Sequence, residues 1–175
     1  MRLLYRITDR DVRGGEPDLL PHVSRSASRG VLLDADANVA MMHIAKSAIY
    51  KLPGGGIEKK ETPEQAFLRE VREETGYDAA IVRRLGYIEE HKKKNGFLQV
   101  SYCFVATAKE AHEARLTEHE KKLGLSLKWM SMPQAVRAVE ASLTATGDYS
   151  TVFMLMRDKR ILEEAAKRMR MPVTE

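Results

Sequence analysis

The sequence predicts one α/β domain, and three observations carry that expectation. Short apolar runs bounded by turn residues follow and precede segments of helical periodicity. A chain of 175 residues suits one domain that buries roughly 70% of its unfolded surface. No repeat, low-complexity segment or linker divides residues 1–175, so 1–24 reads as an N-terminal extension and 150–170 as a C-terminal helix of that domain.

Taken in order, the first element is a hairpin from Arg29 to Ile44. Its two apolar runs flank Asp34-Ala35-Asp36-Ala37-Asn38, a cluster of turn formers. Pro53 and the glycines Gly54 to Gly56 then stop regular structure and allow backbone shapes that side chains forbid. A helix is expected from Thr62 to about Thr75. Thr62 can cap it, Pro63 fits its first position, Gln65 completes a capping box, and Gly76 supplies the C-terminal stop. Strands over Ile81 to Glu90 and Phe97 to Ala106 flank HKKKNG, with Asn95-Gly96 as a two-residue turn. In the second of them, Leu98, Val100, Tyr102, Phe104 and Ala106 share a face expected in the core. A strand over Ser126 to Met130 precedes a helix from about Pro133 to Ser142. The last helix covers roughly Ser150 to Met169, packing through Val152, Leu155, Met156, Ile161 and Leu162.

Composition sets outer limits on function. Hydrophobic residues make up 43% and charged residues 31%, as in packed globular chains rather than disordered ones. The net charge of +4 suits an anionic partner. The aromatic content of 6%, with no RNA-binding or zinc-finger signature, argues against a dedicated nucleic-acid module. The lone Cys103 cannot close an internal disulfide and fits a reducing compartment. Charges interrupt MRLLYRITDR too early for a signal-peptide core, and no run approaches the ~20 apolar residues of a membrane span. The expected protein is soluble, cytoplasmic and without a membrane partner.

The chemistry concentrates on the helix after Thr62. Glu70, Glu73 and Glu74 stand at i, i+3 and i+4 and project from one arc, while Phe67, Leu68, Val71 and Thr75 form the adjoining buried arc. Carboxylates at that spacing repel one another, and hard oxygen ligands suit Mg²⁺ or Mn²⁺. Arg69 and Arg72 could instead make such an arc an ordinary paired surface. The glycine-rich backbone just before the helix favours a site, because it can present a carbonyl to a cation or an amide to a phosphate.

The segment GGIEKKETPEQAFLREVREETGY, Gly55 to Tyr77, resembles the Nudix box, G-x5-E-x7-R-E-U-x-E-E-x-G-U with U a bulky apolar residue. Gly55, Glu61, Arg69, Glu70, Val71, Glu73, Glu74 and Gly76 fall in register. Tyr77 departs mildly at the last U, and Lys60 stands where many relatives have glycine. The resemblance implies the Nudix α/β/α sandwich, a mixed β-sheet between helices, and hydrolysis of a nucleoside diphosphate linked to another moiety. It implies Glu70, Glu73 and Glu74 as metal ligands with a carbonyl near Gly55, and Glu73 or Glu74 beside the attacking water. It implies Arg69 as orienter of the carboxylates, and Glu61 and Gly76 as supports. The expected cofactor is Mg²⁺, with Mn²⁺ as an alternative. The expected partner is a small nucleotide-type diphosphate; an RNA 5′ end is the less favoured substrate, and a homodimer is compatible with the sequence.

Other residues attract attention. Glu118 and Glu120, or Glu89 and Glu90, are candidates for an additional general base, with surface charge as their plainer reading. His22, His43, His91, His112 and His119 show no metalloprotease spacing, Lys92 to Lys94 read as a solvated hairpin tip, and Cys103 as a small packing residue. Two competing functions remain at this level. One is a catalytically silent nucleotide sensor, against which the complete acidic triad argues. The other is an isopentenyl diphosphate isomerase-like enzyme, which would need a catalytic cysteine and further metal-binding histidines.

Overall fold

The computed structural model describes residues 1–174. The elements run β1 (Leu3–Thr8), α1 (Asp9–Arg13), β2 (Arg25–Leu33), β3 (Val39–Ile44), β4 (Ile49–Lys51), β5 (Gly54–Gly56), α2 (Pro63–Thr75), β6 (Tyr77–Lys92), β7 (Phe97–Ala111), α3 (Glu118–Leu123), β8 (Leu125–Met130), α4 (Met132–Ala145) and α5 (Tyr149–Met169). Eight strands form one sheet in the order β1-β6-β7-β2-β3-β4, with β5 added to β2 and β8 to β3. The sheet is mixed: β1 runs parallel to β6 and β2 to β7, and the remaining pairings are antiparallel. The segment read as an N-terminal extension thus supplies a sheet strand, and its Ile7 is fully buried.

Helices cover both faces, giving the α/β/α sandwich. On one face Phe67 and Val71 of α2 pack on Leu32, Ala40, Phe104 and Ala106, and the Phe67 and Phe104 rings stack at 5.4 Å. On the other, α4 and α5 cover Val31, Leu33, Val39, Met41, Cys103 and Val105. Strand β7 therefore feeds two cores: Phe104 and Ala106 point to α2, and Cys103 and Val105 to α5. A central strand is apolar on both sides for this reason.

Several boundaries differ from the sequence expectation. The Arg29–Ile44 segment turns at Asp34, whose Oδ1 accepts from the amides of Asp36 and Asn38 at 2.9 and 2.8 Å. Its strands, however, meet at the single pair Leu33–Val39; β2 instead pairs with β7 along its whole length and with β5 at Ala27 to Arg29. A hairpin signal cannot reveal such a fork, because the competing partners lie far along the chain. The Asn95–Gly96 turn is wider than expected. Lys92 pairs with Phe97, so four residues close the loop, as a 3₁₀ turn over Lys93–Asn95 with Gly96 at φ 60°. The polar α3, capped by Thr117, falls where the sequence reading had no element. On α5, Phe153, Arg157 and Asp158 are buried in addition to Leu155, Ile161 and Leu162, whereas Val152 and Met156 are only half-buried.

The Phe67–Phe104 stack docks α2 on the sheet. Truncation by Phe67→Ala should cost about 3–5 kcal/mol, the range for a buried aromatic, read as a lower urea midpoint at unchanged m-value. A loss below 1 kcal/mol would show that other contacts dock the helix.

Candidate active site

The helix α2 begins where Thr62 Oγ1 accepts from the Gln65 amide at 3.2 Å and Gln65 Oε1 accepts from the Thr62 amide at 2.9 Å. It ends at Gly76, left-handed at φ 80°, whose amide donates to Arg72 O. The chain after β7 folds over that end: the His112 amide donates to Gly76 O and the Arg115 amide to Glu73 O, both at 2.7 Å. With both ends fixed and one side against the sheet, the arc bearing Glu70, Glu73 and Glu74 has a set orientation.

Arg69 stands at the centre of this arc. Its Nε and Nη2 donate to the two oxygens of Glu61 at 2.8 and 3.0 Å, and Nη2 also donates to Gly56 O at 2.9 Å. Its Nη1 donates to Glu70 Oε1 at 2.8 Å and to Glu73 Oε2 at 3.2 Å. The Glu61 pairing, followed by that with Glu70, outweighs partial burial and holds the guanidinium well above its ordinary pKa. The same hydrogen bond to Arg69 holds Glu61 below the usual carboxylate range.

Glu74 is oriented differently. It is 4% exposed; Oε1 accepts from Lys51 Nζ at 2.8 Å and Oε2 from the Gly54 amide at 2.9 Å. Burial pushes its carboxyl up, against the pull of Lys51 and of the Gly54 amide. Glu70 lies directly against Gly55, where an added Cβ would collide with its carboxylate, so only a glycine admits that approach. Glu73 is the most open of the three, with a side chain 40% exposed. Its Oε2 pairs with Arg69.

The candidates outside the box have partners of their own. Glu118 pairs with Lys121 on α3, and Glu120 serves as the capping-box partner of Thr117. Among the described residues, neither makes a hydrogen bond or ion pair with the Gly55–Tyr77 segment. His91 Nδ1 accepts from the Leu20 amide at 2.9 Å. A separate group, Asp78, Glu110 and His112, brings ligand-type atoms within 4.8 Å of one another on the exposed surface, with Asp78 already bound by Arg72 and His112.

Two expectations change at the α5 face of the sheet. Glu90, read from sequence as surface charge, is fully buried, because β6 runs on into the sheet and turns this carboxylate towards α5. Its Oε2 accepts from Gln99 Nε2 at 2.9 Å and from Arg157 Nη1 at 3.1 Å, and its Oε1 lies 3.6 Å from Lys92 Nζ. Lys92, read as part of a solvated tip, is therefore largely buried, while Lys93 and Lys94 are exposed. Arg157 also donates through Nε to Asp158 Oδ1 at 2.9 Å, and Asp158 Oδ2 accepts from the Leu52 amide at 2.9 Å. This cluster anchors the backbone leading into Gly54–Gly56. A cavity of about 320 Å³ opens between the cluster and the glycines, lined by Arg25, Arg29, Lys51, Lys92 and Arg157 among others. The sequence reading named none of its arginines. The available signal was Arg25 and Arg29, two cations sharing one face of β2 with the apolar Ala27, Val31 and Leu33.

Comparison with known proteins decides the family: the NUDIX domain model matches residues 24–150. The chain belongs to the Nudix family. Diphosphoinositol polyphosphate phosphohydrolase 3-alpha of Mus musculus is 30% identical over 98 residues, covering 56% of this chain and 57% of that protein. Diphosphoinositol polyphosphate phosphohydrolase 2 of Homo sapiens is 30% identical over 98 residues, covering 56% and 51%. The Nudix chain thus spans about half the length of the curated relatives it matches. Among solved structures, a Nudix hydrolase from Nitrosomonas europaea superposes with TM-score 0.60 at 18% identity, over 85% of this chain and 93% of that one. A Nudix hydrolase from M. smegmatis gives 0.55 at 17%, over 86% and 91%. At these identities the structural likeness establishes the fold.

The buried charges make stability depend on pH. Burial pushes Glu90 up, but Arg157, Lys92 and Arg29 outweigh it and hold the carboxyl below its ordinary range. A depressed folded-state pKa contributes stability at neutral pH that is lost as pH falls below the ordinary glutamate value of about 4.3 and through the folded one. Glu90→Gln should therefore be less stable than the parent at pH 7 by roughly 3–5 kcal/mol, the cost of breaking a buried pair from one side. The gap should narrow in urea titrations below about pH 4.3. A gap independent of pH would remove Glu90 ionisation as its cause.

Proposed function

We propose that this protein hydrolyses a pyrophosphate linkage in a small phosphorylated substrate, using Mg²⁺ or Mn²⁺ held by Glu70, Glu73, Glu74 and the carbonyl of Gly55. The observation that carries this reading is the convergence of Glu70 and Glu74 on the Gly54–Gly55 backbone. The donor set of carboxylates and a carbonyl suits a hard divalent cation, and Gly55 leaves room beside Glu70 that any side chain would fill. When bound, such an ion neutralises phosphate oxygens and acidifies water.

The chain's own groups then divide the work. Arg69 keeps Glu70 and Glu73 in fixed rotamers, so their approach to the ion costs little reorganisation. Both Glu74 oxygens are engaged by Lys51 and Gly54, which suits a group that orients rather than one that exchanges protons. Glu73, open to solvent and held by Arg69 at one oxygen, is positioned for its Oε1 to receive the proton of the attacking water. The diphosphate belongs either to a nucleotide, as the box resemblance implies, or to an inositol polyphosphate, the class named for the curated relatives.

Isomerase chemistry through the cysteine is the weaker reading. Cys103 is fully buried between β7 and α5, and burial pushes its thiol up to about 12. Cys103→Ser should leave turnover within a few-fold of the parent; a folded serine variant without turnover would reject the hydrolase mechanism.

Activity should require a divalent cation and vanish in excess chelator, assayed as phosphate or pyrophosphate release from nucleotide diphosphates and diphosphoinositol polyphosphates. Under saturating metal, Glu73→Gln should lower kcat by about a hundredfold or more while the fold persists. The control is Glu64→Gln on the same helix, which removes only a pairing with Arg84 and should stay within a few-fold of the parent. Equal activity of both folded variants would rule out the acidic arc as the catalytic centre.

A further inference from the structure

Arg29 is a buried cation that the protein leaves without a partner. It lies mid-strand in β2 at 6% exposure, and its Nε finds no hydrogen-bond acceptor. Among the described residues no carboxylate comes within ion-pair distance of its guanidinium. The nearby charges do not compensate it. Four cations, Arg157, Lys92, Lys51 and Arg29, share three carboxylates: Glu90 and Asp158 already bind Arg157, and Glu74 already binds Lys51. Burial, with Arg157 adding to it, lowers the Arg29 guanidinium to about 10 even though Asp158, Glu90 and Glu74 pull the other way. An uncompensated buried charge costs several kcal/mol, and folded proteins keep such groups paired.

The place of Arg29 shows what the missing partner is. Its side chain lines the 320 Å³ cavity with Arg25, Lys51, Lys92 and Arg157, and among the described residues no carboxylate is part of that lining. Gly54 pairs with Arg29 across β5 and β2, at φ 143°, and an added Cβ would collide with that of Arg29. Gly54 and Gly55 line the same cavity on one side and face Glu74 and Glu70 on the other. A ligand in the cavity would thus be in contact with the loop that borders the acidic arc. No aromatic ring lines the cavity, so a nucleobase would find nothing there to stack on.

We infer that this cavity is the subsite for a non-scissile phosphate group of the substrate, with the guanidinium of Arg29 as its contact. The inference rests on the hydrolase reading for the word substrate, but the anion site itself can be tested without turnover. A planar guanidinium matches phosphate in a bidentate manner, and the neighbouring cations favour a phosphate-dense ligand over a single phosphate. The shared chemistry is polyphosphate, whether it comes from a nucleoside polyphosphate or from a phosphorylated polyol.

The probe is inorganic tripolyphosphate, titrated calorimetrically into the full chain in excess chelator, where the metal-dependent reaction is off. The parent should bind it, and Arg29→Met should bind at least tenfold more weakly. The metal-free melting temperature of the variant should equal or exceed that of the parent, because an uncompensated charge has been removed. Tripolyphosphate should raise the melting temperature of the parent and leave that of the variant unchanged. Arg29→Lys, which keeps the charge and loses the fork, serves if the methionine variant fails to fold, and should bind several-fold more weakly than the parent.

Absence of binding to the parent, or affinity within twofold of the parent in a folded Arg29 variant, would overturn the subsite. A folded methionine variant that melts lower and still gains thermal stability from the probe would mark Arg29 as structural and overturn it too. Binding that survives while no diphosphate is ever hydrolysed would retain the anion site and reject the hydrolase reading. Turnover of a phosphate-dense substrate with KM unchanged in Arg29→Met would do the reverse.

Discussion

The guanidinium of Arg69 joins parts of the chain that would otherwise be independent. It binds a carbonyl of β5, the Glu61 side chain in the loop, and two carboxylates on α2. Without it, Glu70 and Glu73 would repel each other across one helical turn, and the loop would rely on its own turns for position. A planar donor with five N–H groups can serve all these acceptors at once, which a lysine ammonium cannot. The arrangement also needs Arg69 to be held, and α2 is fixed by its caps, by the Phe67–Phe104 stack and by the strap from His112 to Arg115.

Much of this was legible in the sequence. Thr62, Pro63, Gln65 and Gly76 define α2 to the residue, because capping chemistry is local and short-ranged. The spacing of Glu70, Glu73 and Glu74 fixes their common arc, since helical geometry leaves little freedom. Phe104 and Ala106 face α2, and period-two alternation is enough to pair them on one side. What escaped depends on contacts between distant segments. The split of β2 between β3, β5 and β7 is a competition that no local pattern records. Arg157 and Asp158 sit within the buried side of α5, and no local pattern marks them, because their partners, Glu90 and the Leu52 amide, lie 67 and 106 residues away.

The α5 face of the sheet shows how one core can serve two purposes. Towards Val31, Val105 and Leu155 it is apolar and contributes burial. Towards Arg29, Glu90 and Gln99 it becomes a charged cluster, although the strands β2, β6 and β7 simply continue. Buried ion pairs rarely improve stability over packed apolar residues, so this end of the face is better explained by positioning. Asp158 provides the link, since it accepts both from Arg157 and from the backbone just before Pro53. Movement of α5 would therefore be felt in the glycine loop.

The two sides of that loop have opposite electrostatic character. Towards α2 lie Glu70 and Glu74; towards α5 lie Arg29, Arg157 and Lys92. Only the thin backbone of Gly54 and Gly55 separates them, and both glycines are required by close approaches, Gly54 to Arg29 and Gly55 to Glu70. A divalent cation on the acidic side and phosphate oxygens on the basic side would each relieve repulsion that the free protein carries. A substrate reaching across the loop would meet both, so its binding would strengthen with the number of phosphates it can place on the basic side. Lys51 joins the two fields directly, because it pairs with Glu74 while lining the cavity. Charge introduced on either side thus changes the environment of the other, and under the proposed function this coupling would place substrate selection and metal holding in one electrostatic unit.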